Sequence, residues 1–212
     1  MSLRNILSKI DKELREREEI KDELYDAMRK ATRLSKQAIF LVHKERFREA
    51  EKLLKEIKKF FTKLDDIPPV HQKFLYAGIV DSAFQEYTEA HIFLELAQDG
   101  KFVGPKKICA PSTSYLLGLA DVVGELRRRA LDHLREGDTK VAEKSLETME
   151  LIHDELMVMD KALQFLSGLR RKTDIARRII EATRGDVTIE VRRSSLERSI
   201  KKLEKTISAK EK

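Results

Sequence analysis

The first part of the chain contains no residue that would interrupt a helix. Neither proline nor glycine occurs from residue 3 to residue 44, and the 212 residues include only 4 prolines and 8 glycines. Apolar residues in this segment recur in alternating steps of four and three, which is the spacing of one helix face. They are Ile20, Leu24, Ala27, Ala31, Leu34, Ala38 and Leu41. The chain is therefore predicted to begin with one long helix. A helix of this length is compatible with only a limited set of folds.

The remainder of the chain is predicted to be helical as well. Turn-forming residues, chiefly glycine, proline and aspartate, divide it into six further segments. The predicted helices cover residues 45–64, 70–98, 112–135, 139–166, 169–183 and 187–212, with breaks at 65–69, 99–111, 137–138, 167–168 and 184–186. No strand-rich region is visible, and the segments are long enough for a bundle. We expect an all-α subunit of seven helices with a bundle-like architecture.

The composition favours a charged, basic protein of a reducing compartment. An excess of Lys and Arg over Asp and Glu gives a net charge of +6, which favours polyanionic partners such as nucleic acid. The single cysteine, Cys109, excludes an intrachain disulfide. The first residues lack the apolar stretch of a signal peptide, and no apolar run approaches the ~18 residues of a membrane span. We expect a cytoplasmic protein that does not enter a membrane.

Two pairs of carboxylates are the main candidates for chemistry. Glu86 and Glu89 are spaced i, i+3, and Asp121 and Glu125 are spaced i, i+4. On helices these spacings place both members of a pair on one face. Four carboxylates brought together by two helices would form an oxygen-lined site for Mg²⁺, with Mn²⁺ as the alternative ion. Such a site indicates metal-assisted phosphodiester or phosphoanhydride chemistry.

The two pairs differ in how well an ordinary solvated helix face accounts for them. A helical wheel places Glu86 and Glu89 among apolar residues, where a carboxylate is costly unless it is paired, protonated or bound to metal. Asp121 and Glu125 give a weaker signal, because they lie away from the apolar stripe of their helix and a solvated face explains them well on its own. Gly118 and Gly124 are close to this second pair in the sequence. Glycines inside a helix indicate the close approach of another helix or of a ligand.

A basic segment of the first helix is a candidate for binding nucleic acid. Because contacts to phosphate need a high density of Lys and Arg, four residues are predicted to hold a nucleic-acid backbone: Arg29, Lys30, Arg33 and Lys36. The alternative is a solvated surface, ion-paired with nearby glutamates. Other catalytic patterns are poorly supported, since the chain has no phosphate-binding glycine loop, no dinucleotide fingerprint and no Gly-x-Ser-x-Gly.

Three stretches, in this order, resemble the translin family and specifically its Trax-like (translin-associated factor X) branch, in an archaeal-type form. The first is Ala31-Thr32-Arg33-Leu34-Ser35-Lys36-Gln37-Ala38-Ile39-Phe40-Leu41-Val42-His43, the second is Phe84-Gln85-Glu86-Tyr87-Thr88-Glu89-Ala90, and the third runs from Tyr115 through Gly124-Glu125-Leu126. The resemblance covers roughly residues 20–185. It divides the chain into a translin-like all-α domain, residues 1–185, and a charged C-terminal helical extension, residues 186–212.

The resemblance implies a fold, an assembly and an activity. Translin-type subunits have seven helices and assemble into hollow, octamer-type shells, so a homo-oligomer is expected. Trax-like members are Mg²⁺-dependent endoribonucleases. Their acidic positions match Glu86, Glu89, Asp121 and Glu125 in this sequence, and the resemblance assigns metal binding and catalysis to these four.

Three functions from different classes remain open. The first is a Mg²⁺-dependent endoribonuclease that cuts RNA. The second is an oligomeric shell that binds single-stranded nucleic acid without cutting it, and its binding would depend on salt. The third is an all-α nucleotide pyrophosphatase, which also pairs acidic helices around Mg²⁺.

Overall fold

The structure, a computed structural model, describes residues 2–67 and 78–210. Within those residues it contains eight α-helices and no strand, so the predicted all-α class is confirmed. The helices are α1 (Leu3–His43), α2 (Phe47–Thr62), α3 (Gly78–Asp99), α4 (Pro105–Ile108), α5 (Ser112–Arg135), α6 (Thr139–Met157), α7 (Asp160–Phe165) and α8 (Ser167–Lys210), with a 3-10 turn over Lys63–Asp66. None of the helices in this part of the chain is both long and apolar enough to cross a membrane.

The chain divides into two compact units, Met1–Gly118 and Leu119–Lys212. In the first unit α1 packs against both α2 and α3. Its core includes Met28, Leu54, Ile57, Tyr87 and Phe93, each of which has almost no exposed surface. The aromatic rings of Phe61 and Phe84 stack with their centroids 3.9 Å apart, which joins the end of α2 to α3.

The second unit is organised around α8, which packs against α6 and α7. Ala130 of α5, Ala142 of α6 and Val187 of α8 form a small buried cluster. The Arg127 guanidinium of α5 donates hydrogen bonds to the Thr183 hydroxyl at 2.7 Å and to the Asp186 carboxylate at 3.3 Å. These hydrogen bonds connect α5 to the middle of α8.

The predicted first helix agrees with α1 to within one residue. Its N-terminus is capped by the Ser2 hydroxyl, which accepts a hydrogen bond from the backbone N–H of Asn5 at 3.3 Å, as expected of a serine N-cap. The helix ends where Glu45 adopts a positive φ of 56°. The predicted third helix begins at residue 70, and residues 68–77 lie outside the described part of the chain.

The last two predicted helices are in fact one. The break predicted at residues 184–186 is wrong, because α8 continues through Arg184, Gly185 and Asp186. Arg184 pairs with Glu150 of α6 at 2.6 Å, and Asp186 pairs with Arg127. A glycine costs a helix only ~1 kcal/mol, and these ion pairs hold the helix on both sides of it.

Two short helices account for the remaining differences. The predicted fifth helix, residues 139–166, ends at Met157, and α7 follows it after a two-residue interruption. The predicted loop over residues 99–111 contains α4, which begins at Pro105. Proline is favoured at the first position of a helix, so this residue marks a start as well as a break.

Gly118 confirms the expected close approach of two helices. A Cβ atom at this position would lie 2.7 Å from the backbone carbonyl oxygen of Gln85 and 2.9 Å from the Cβ of Thr88. Gly118 therefore lets the start of α5 contact the backbone of α3 directly. At Gly124 a Cβ would meet nothing within 4 Å in the described part of the chain, so the same explanation does not apply to this residue.

The two glycines make a matched pair of substitutions. We expect Gly118→Ala to lower the free energy of unfolding by about 1–3 kcal/mol, because the added methyl group overlaps a backbone atom that cannot easily move. We expect Gly124→Ala to raise it by roughly 0.5–1 kcal/mol, because alanine is the better helix former. Urea unfolding monitored by circular dichroism measures both. Equal stabilities for the two variants would contradict the close approach at Gly118.

Candidate functional site

The first carboxylate pair lies on α3 in the first unit. Glu86 and Glu89 are both half-buried, and the residues between them, Tyr87 and Thr88, are fully buried. The Glu86 carboxylate lies 3.5 Å from the ammonium group of Lys36 on α1, and its side chain is 26% exposed. Glu86 is therefore a partly desolvated acid that is balanced by a cation from the neighbouring helix.

The cation that balances Glu86 also lines a groove on the surface of the first unit. This α1–α3 groove is open and has a volume of about 750 Å³. Its lining residues come from α1 (Arg29, Thr32, Arg33, Lys36, Gln37 and Phe40) and from the start of α3 (Gly78, Ile79 and Ser82). Half of the surface of Phe40 is exposed. Among the described residues, the groove thus combines three positive charges with an accessible aromatic ring.

Three of the four predicted nucleic-acid-binding residues lie together in this groove. Arg29, Arg33 and Lys36 follow one another at i, i+4 and i+7 and share one face of α1. Lys30 is on a different side, where its ammonium group lies 3.0 Å from Glu56 and 5.0 Å from the ring centroid of Phe60, both on α2. The structure therefore brings three of the predicted cations together and directs the fourth towards α2.

The second carboxylate pair lies on α5 in the second unit. Asp121 and Glu125 are half-buried, so the solvated face that the sequence left open as an alternative is only partly exposed. The ammonium group of Lys172, on α8, donates a short hydrogen bond to the Asp121 carboxylate, and each of these two side chains is 24% exposed. Asp121, like Glu86, has a lysine as its ionic partner.

Sequence reasoning missed the role of Lys172. The residue stands in a basic run with Arg170 and Arg171, and nothing in that run distinguishes it from its neighbours. It lies 51 residues from Asp121 along the chain, so helix spacing could not reveal the pair. The sequence held no signal for the pair, because Asp121 lies away from the apolar stripe of its helix and its partial burial is seen only in the structure.

The two acids that have lysine partners are suited to hold a divalent cation. Carboxylate oxygens are the hard ligands that Mg²⁺ prefers, and Glu86 and Asp121 both attract a positive charge and remain partly accessible. Within residues 2–67 and 78–210, however, no three side chains of His, Cys, Asp or Glu come together as a ligand set for a metal ion. The Mg²⁺ site at the four carboxylates stays a prediction.

Several polar atoms are buried in the first unit. The hydroxyls of Tyr87, Thr88 and Ser114 and the Nδ1 atom of His91 have no hydrogen-bond partner among the described residues. Burial raises the pKa of the Tyr87 hydroxyl well above its usual value, and the nearby Cys109 raises it further. The Tyr87 ring meets the imidazole of His91 edge-on, with a centroid distance of 5.1 Å. These buried hydroxyl and imidazole groups carry no charge at neutral pH.

The sequence model of the translin family matches residues 19–208 of the chain. The chain belongs to the translin family. The match extends past residue 185, and the predicted division into residues 1–185 and 186–212 stays a prediction. A curated relative of this translin-family chain is the uncharacterized protein MJ0175 of Methanocaldococcus jannaschii. The two are 28% identical over 193 residues, which are 90% of this chain and 85% of the relative.

Solved structures of C3PO proteins share the translin-type fold of the chain. The structure of AfC3PO in complex with duplex RNA is 35% identical to this chain, with a TM-score of 0.75, and the similarity covers 87% of this chain and 95% of that one. A crystal structure of AfC3PO is 36% identical, with the same TM-score and 96% of that chain covered. Apo-NeC3PO, at 23% identity and a TM-score of 0.76 over 87% of this chain and 96% of that one, shows the shared fold alone.

His91 should make the stability of this translin-family chain depend on pH. Burial lowers the pKa of His91 from its usual 6.5 to about 4, and Lys107 and Lys58 act in the same direction against the opposing effect of Glu95. Between these two pH values the unfolded chain binds the proton and the folded chain does not, so stability falls as the pH drops from about 6.5 towards 4. At ~1.4 kcal/mol per pKa unit, the loss is on the order of 3 kcal/mol.

The substitution His91→Phe removes this group and keeps a ring against Tyr87. Unfolding free energies of both proteins, measured by urea titration at several pH values from 7 to 4, isolate the contribution of His91 from that of the carboxylates. We expect the variant to lose less stability than the parent across that range. Parallel pH profiles for the two proteins would show that His91 does not resist protonation in the folded state.

Proposed function

We propose that the protein is a Mg²⁺-dependent endoribonuclease of the Trax-like branch. The observation that carries this proposal is the ion pair between Lys36 and Glu86, because it connects a candidate catalytic carboxylate to the α1–α3 groove. A nuclease needs phosphate-binding cations next to acidic groups, and the first unit supplies both within a single pair of helices.

The α1–α3 groove would hold the RNA backbone. Arg29, Arg33 and Lys36 are exposed and face the same volume, and Arg can bind phosphate through two parallel hydrogen bonds. Because Lys36 balances Glu86, an approaching phosphate meets a lining that is cationic overall. AfC3PO, which is 35% identical to this chain, has been solved in complex with duplex RNA, and this supports RNA as the ligand here.

The metal would be held by Glu86, Glu89, Asp121 and Glu125, as the resemblance to Trax-like proteins implies. When bound, Mg²⁺ (or Mn²⁺ in its place) would polarise the scissile phosphate and lower the pKa of an attacking water. The ammonium groups of Lys36 and Lys172 lie at the Glu86 and Asp121 carboxylates and balance their charge. Both carboxylates remain partly exposed and are accessible to a cation. We further propose a cytoplasmic homo-oligomer of the octamer type.

A second function is favoured by the same lysines. Carboxylates that are already paired with ammonium groups do not require a metal, and a chain of this kind could bind single-stranded nucleic acid in the α1–α3 groove without cutting it. A nucleotide pyrophosphatase remains the third candidate. The basic groove favours a polymeric ligand over a mononucleotide, because its three cations are spread over about two turns of α1, whereas the phosphates of one nucleotide are joined directly to one another.

Cleavage of RNA tests the nuclease. We expect the parent protein to cut labelled single-stranded RNA with Mg²⁺ and not with EDTA. Glu86→Gln/Glu89→Gln should lower the cleavage rate by about 10²-fold or more, since the loss of metal ligands removes several kcal/mol of transition-state stabilisation. Glu143→Gln/Glu147→Gln makes the same chemical change on the exposed face of α6 and should cut like the parent. Loss of cleavage in the first variant alone would exclude a contaminating nuclease.

The same experiment separates the three functions. RNA that is bound and left intact by the parent protein with Mg²⁺ and with Mn²⁺ would favour the binding shell. Release of pyrophosphate from free nucleoside triphosphates, without cleavage of RNA, would favour the pyrophosphatase. Undiminished cleavage by Glu86→Gln/Glu89→Gln would leave the nuclease in place and remove Glu86 and Glu89 from its mechanism.

Binding measurements test the groove independently of cleavage. In the presence of EDTA, Arg33→Ala/Lys36→Ala should weaken RNA binding and reduce the slope of log K against log salt concentration by about one for each lost phosphate contact. Lys30→Ala/Lys52→Ala removes the same charge, from the side of α1 that faces α2 and from α2 itself. A smaller loss of RNA affinity in this control would support binding of RNA in the α1–α3 groove. An equal loss of affinity in both variants would mean that only the net charge of the protein attracts the RNA.

A further inference from the structure

The two lysines at the candidate metal-binding carboxylates are held in different ways. The ammonium group of Lys36 lies 3.5 Å from Glu86, and 64% of the Lys36 side chain is exposed. Lys172 donates a hydrogen bond to the Oδ1 atom of Asp121, and only 24% of its side chain is exposed. Because water weakens an exposed ion pair more than a partly buried one, the Lys172–Asp121 pair is the stronger of the two.

Both members of the Lys172–Asp121 pair belong to helices that are fixed within the second unit. The buried residues of α8 on either side of Lys172 are Leu169, Thr173 and Ala176. On α5, the Arg127 guanidinium donates a hydrogen bond across to Thr183 of α8 at 2.7 Å. The packing of these two helices therefore places the ammonium group at Asp121, and rotation of the Lys172 side chain is the simplest way to remove it.

A divalent cation at Asp121 would compete with Lys172 for one carboxylate. The Oδ1 atom that accepts the hydrogen bond from Lys172 is also the kind of oxygen that Mg²⁺ binds. An ammonium group and a dication at the same carboxylate repel each other. The Lys172 side chain has a flexible four-carbon stem and a strongly hydrated charge, and part of it already reaches solvent. Displacement of the ammonium group into water is therefore the route by which a metal gains this carboxylate.

We propose that Lys172 is a tethered cation that takes the place of a metal ion at Asp121 and must leave this carboxylate before Mg²⁺ or Mn²⁺ binds there. The inference rests on the proposed metal binding by Asp121 and adds a residue that restricts it. Only molecules in which the ion pair is open can bind metal, and the apparent affinity for metal is reduced by the fraction that is open. The carboxylate is thus balanced in the metal-free protein, at the cost of a weaker hold on the metal.

Binding of Mn²⁺ to the metal-free, full-length protein, measured without RNA, tests the proposal. Lys172→Gln removes the charge and keeps an amide that can donate a hydrogen bond to Asp121. Isothermal titration calorimetry should show that this variant binds Mn²⁺ about 10-fold or more tightly than the parent, because no ion pair has to open. Lys201→Gln makes the same change at an exposed position of the same helix and should bind Mn²⁺ like the parent.

Two further measurements distinguish displacement of Lys172 from a general effect of charge. In Lys172→Gln/Asp121→Asn the gain in Mn²⁺ affinity should be lost, because the carboxylate that gains the metal is absent. In urea unfolding monitored by circular dichroism, Lys172→Gln should be less stable than the parent without metal, since Asp121 is left without its counter-charge. Mn²⁺ should then stabilise the variant more than it stabilises the parent, a rescue that a lysine with only a packing role would not produce.

The outcomes separate this inference from the proposed nuclease. Equal Mn²⁺ affinities of the parent and Lys172→Gln, including no binding by either, would overturn the inference. A gain in affinity that persists in Lys172→Gln/Asp121→Asn would overturn it too, as would a loss of stability that Mn²⁺ does not reverse. In each of these cases, Mg²⁺-dependent cleavage of RNA by the parent would leave the nuclease in place. Tighter binding by Lys172→Gln, together with a parent that cuts no RNA, would support the inference and remove the nuclease.

Discussion

Burial of one face of α1 is the constraint on which the first unit depends. Met28, Ala31, Ala38 and Val42 have no exposed surface, and a large apolar side chain buried in this way contributes roughly 1.5–3 kcal/mol. The alanines let α2 and α3 approach the helix axis closely. Because a helix is rigid, fixing its buried face also fixes the direction of the opposite face. The position of the α1–α3 groove is therefore a consequence of hydrophobic packing on the other side of the same helix.

The placement of charge follows from the same packing. Glu86 and Asp121 are each about three-quarters buried, and each has a lysine from a neighbouring helix at its carboxylate. Removing one partner of such a pair would leave an uncompensated charge in a poorly solvated place, which is strongly destabilising. The lysines therefore stabilise a fold that retains acids at partly buried positions, whether or not those acids hold a metal.

The parts of the structure that could be predicted from sequence are those determined by local patterns. The long uninterrupted periodicity of α1 gave its bounds to within one residue, and the glycine at position 118 indicated a close approach that the structure contains. The parts that could not be predicted depend on contacts between distant residues. Helix α8 continues through Gly185 because Arg184 and Asp186 have partners on other helices, and Lys172 reaches an acid 51 residues away.

The shared use of Lys36 has a thermodynamic consequence. One ammonium group serves both the α1–α3 groove and the Glu86 carboxylate, so an anion that draws Lys36 into the groove leaves Glu86 with an unbalanced negative charge. Any cation that then binds at Glu86 gains affinity, and by reciprocity the same cation raises the affinity of the groove for the anion by an equal factor. Two ligands of opposite charge would thus bind cooperatively through a single side chain, without any change in the backbone.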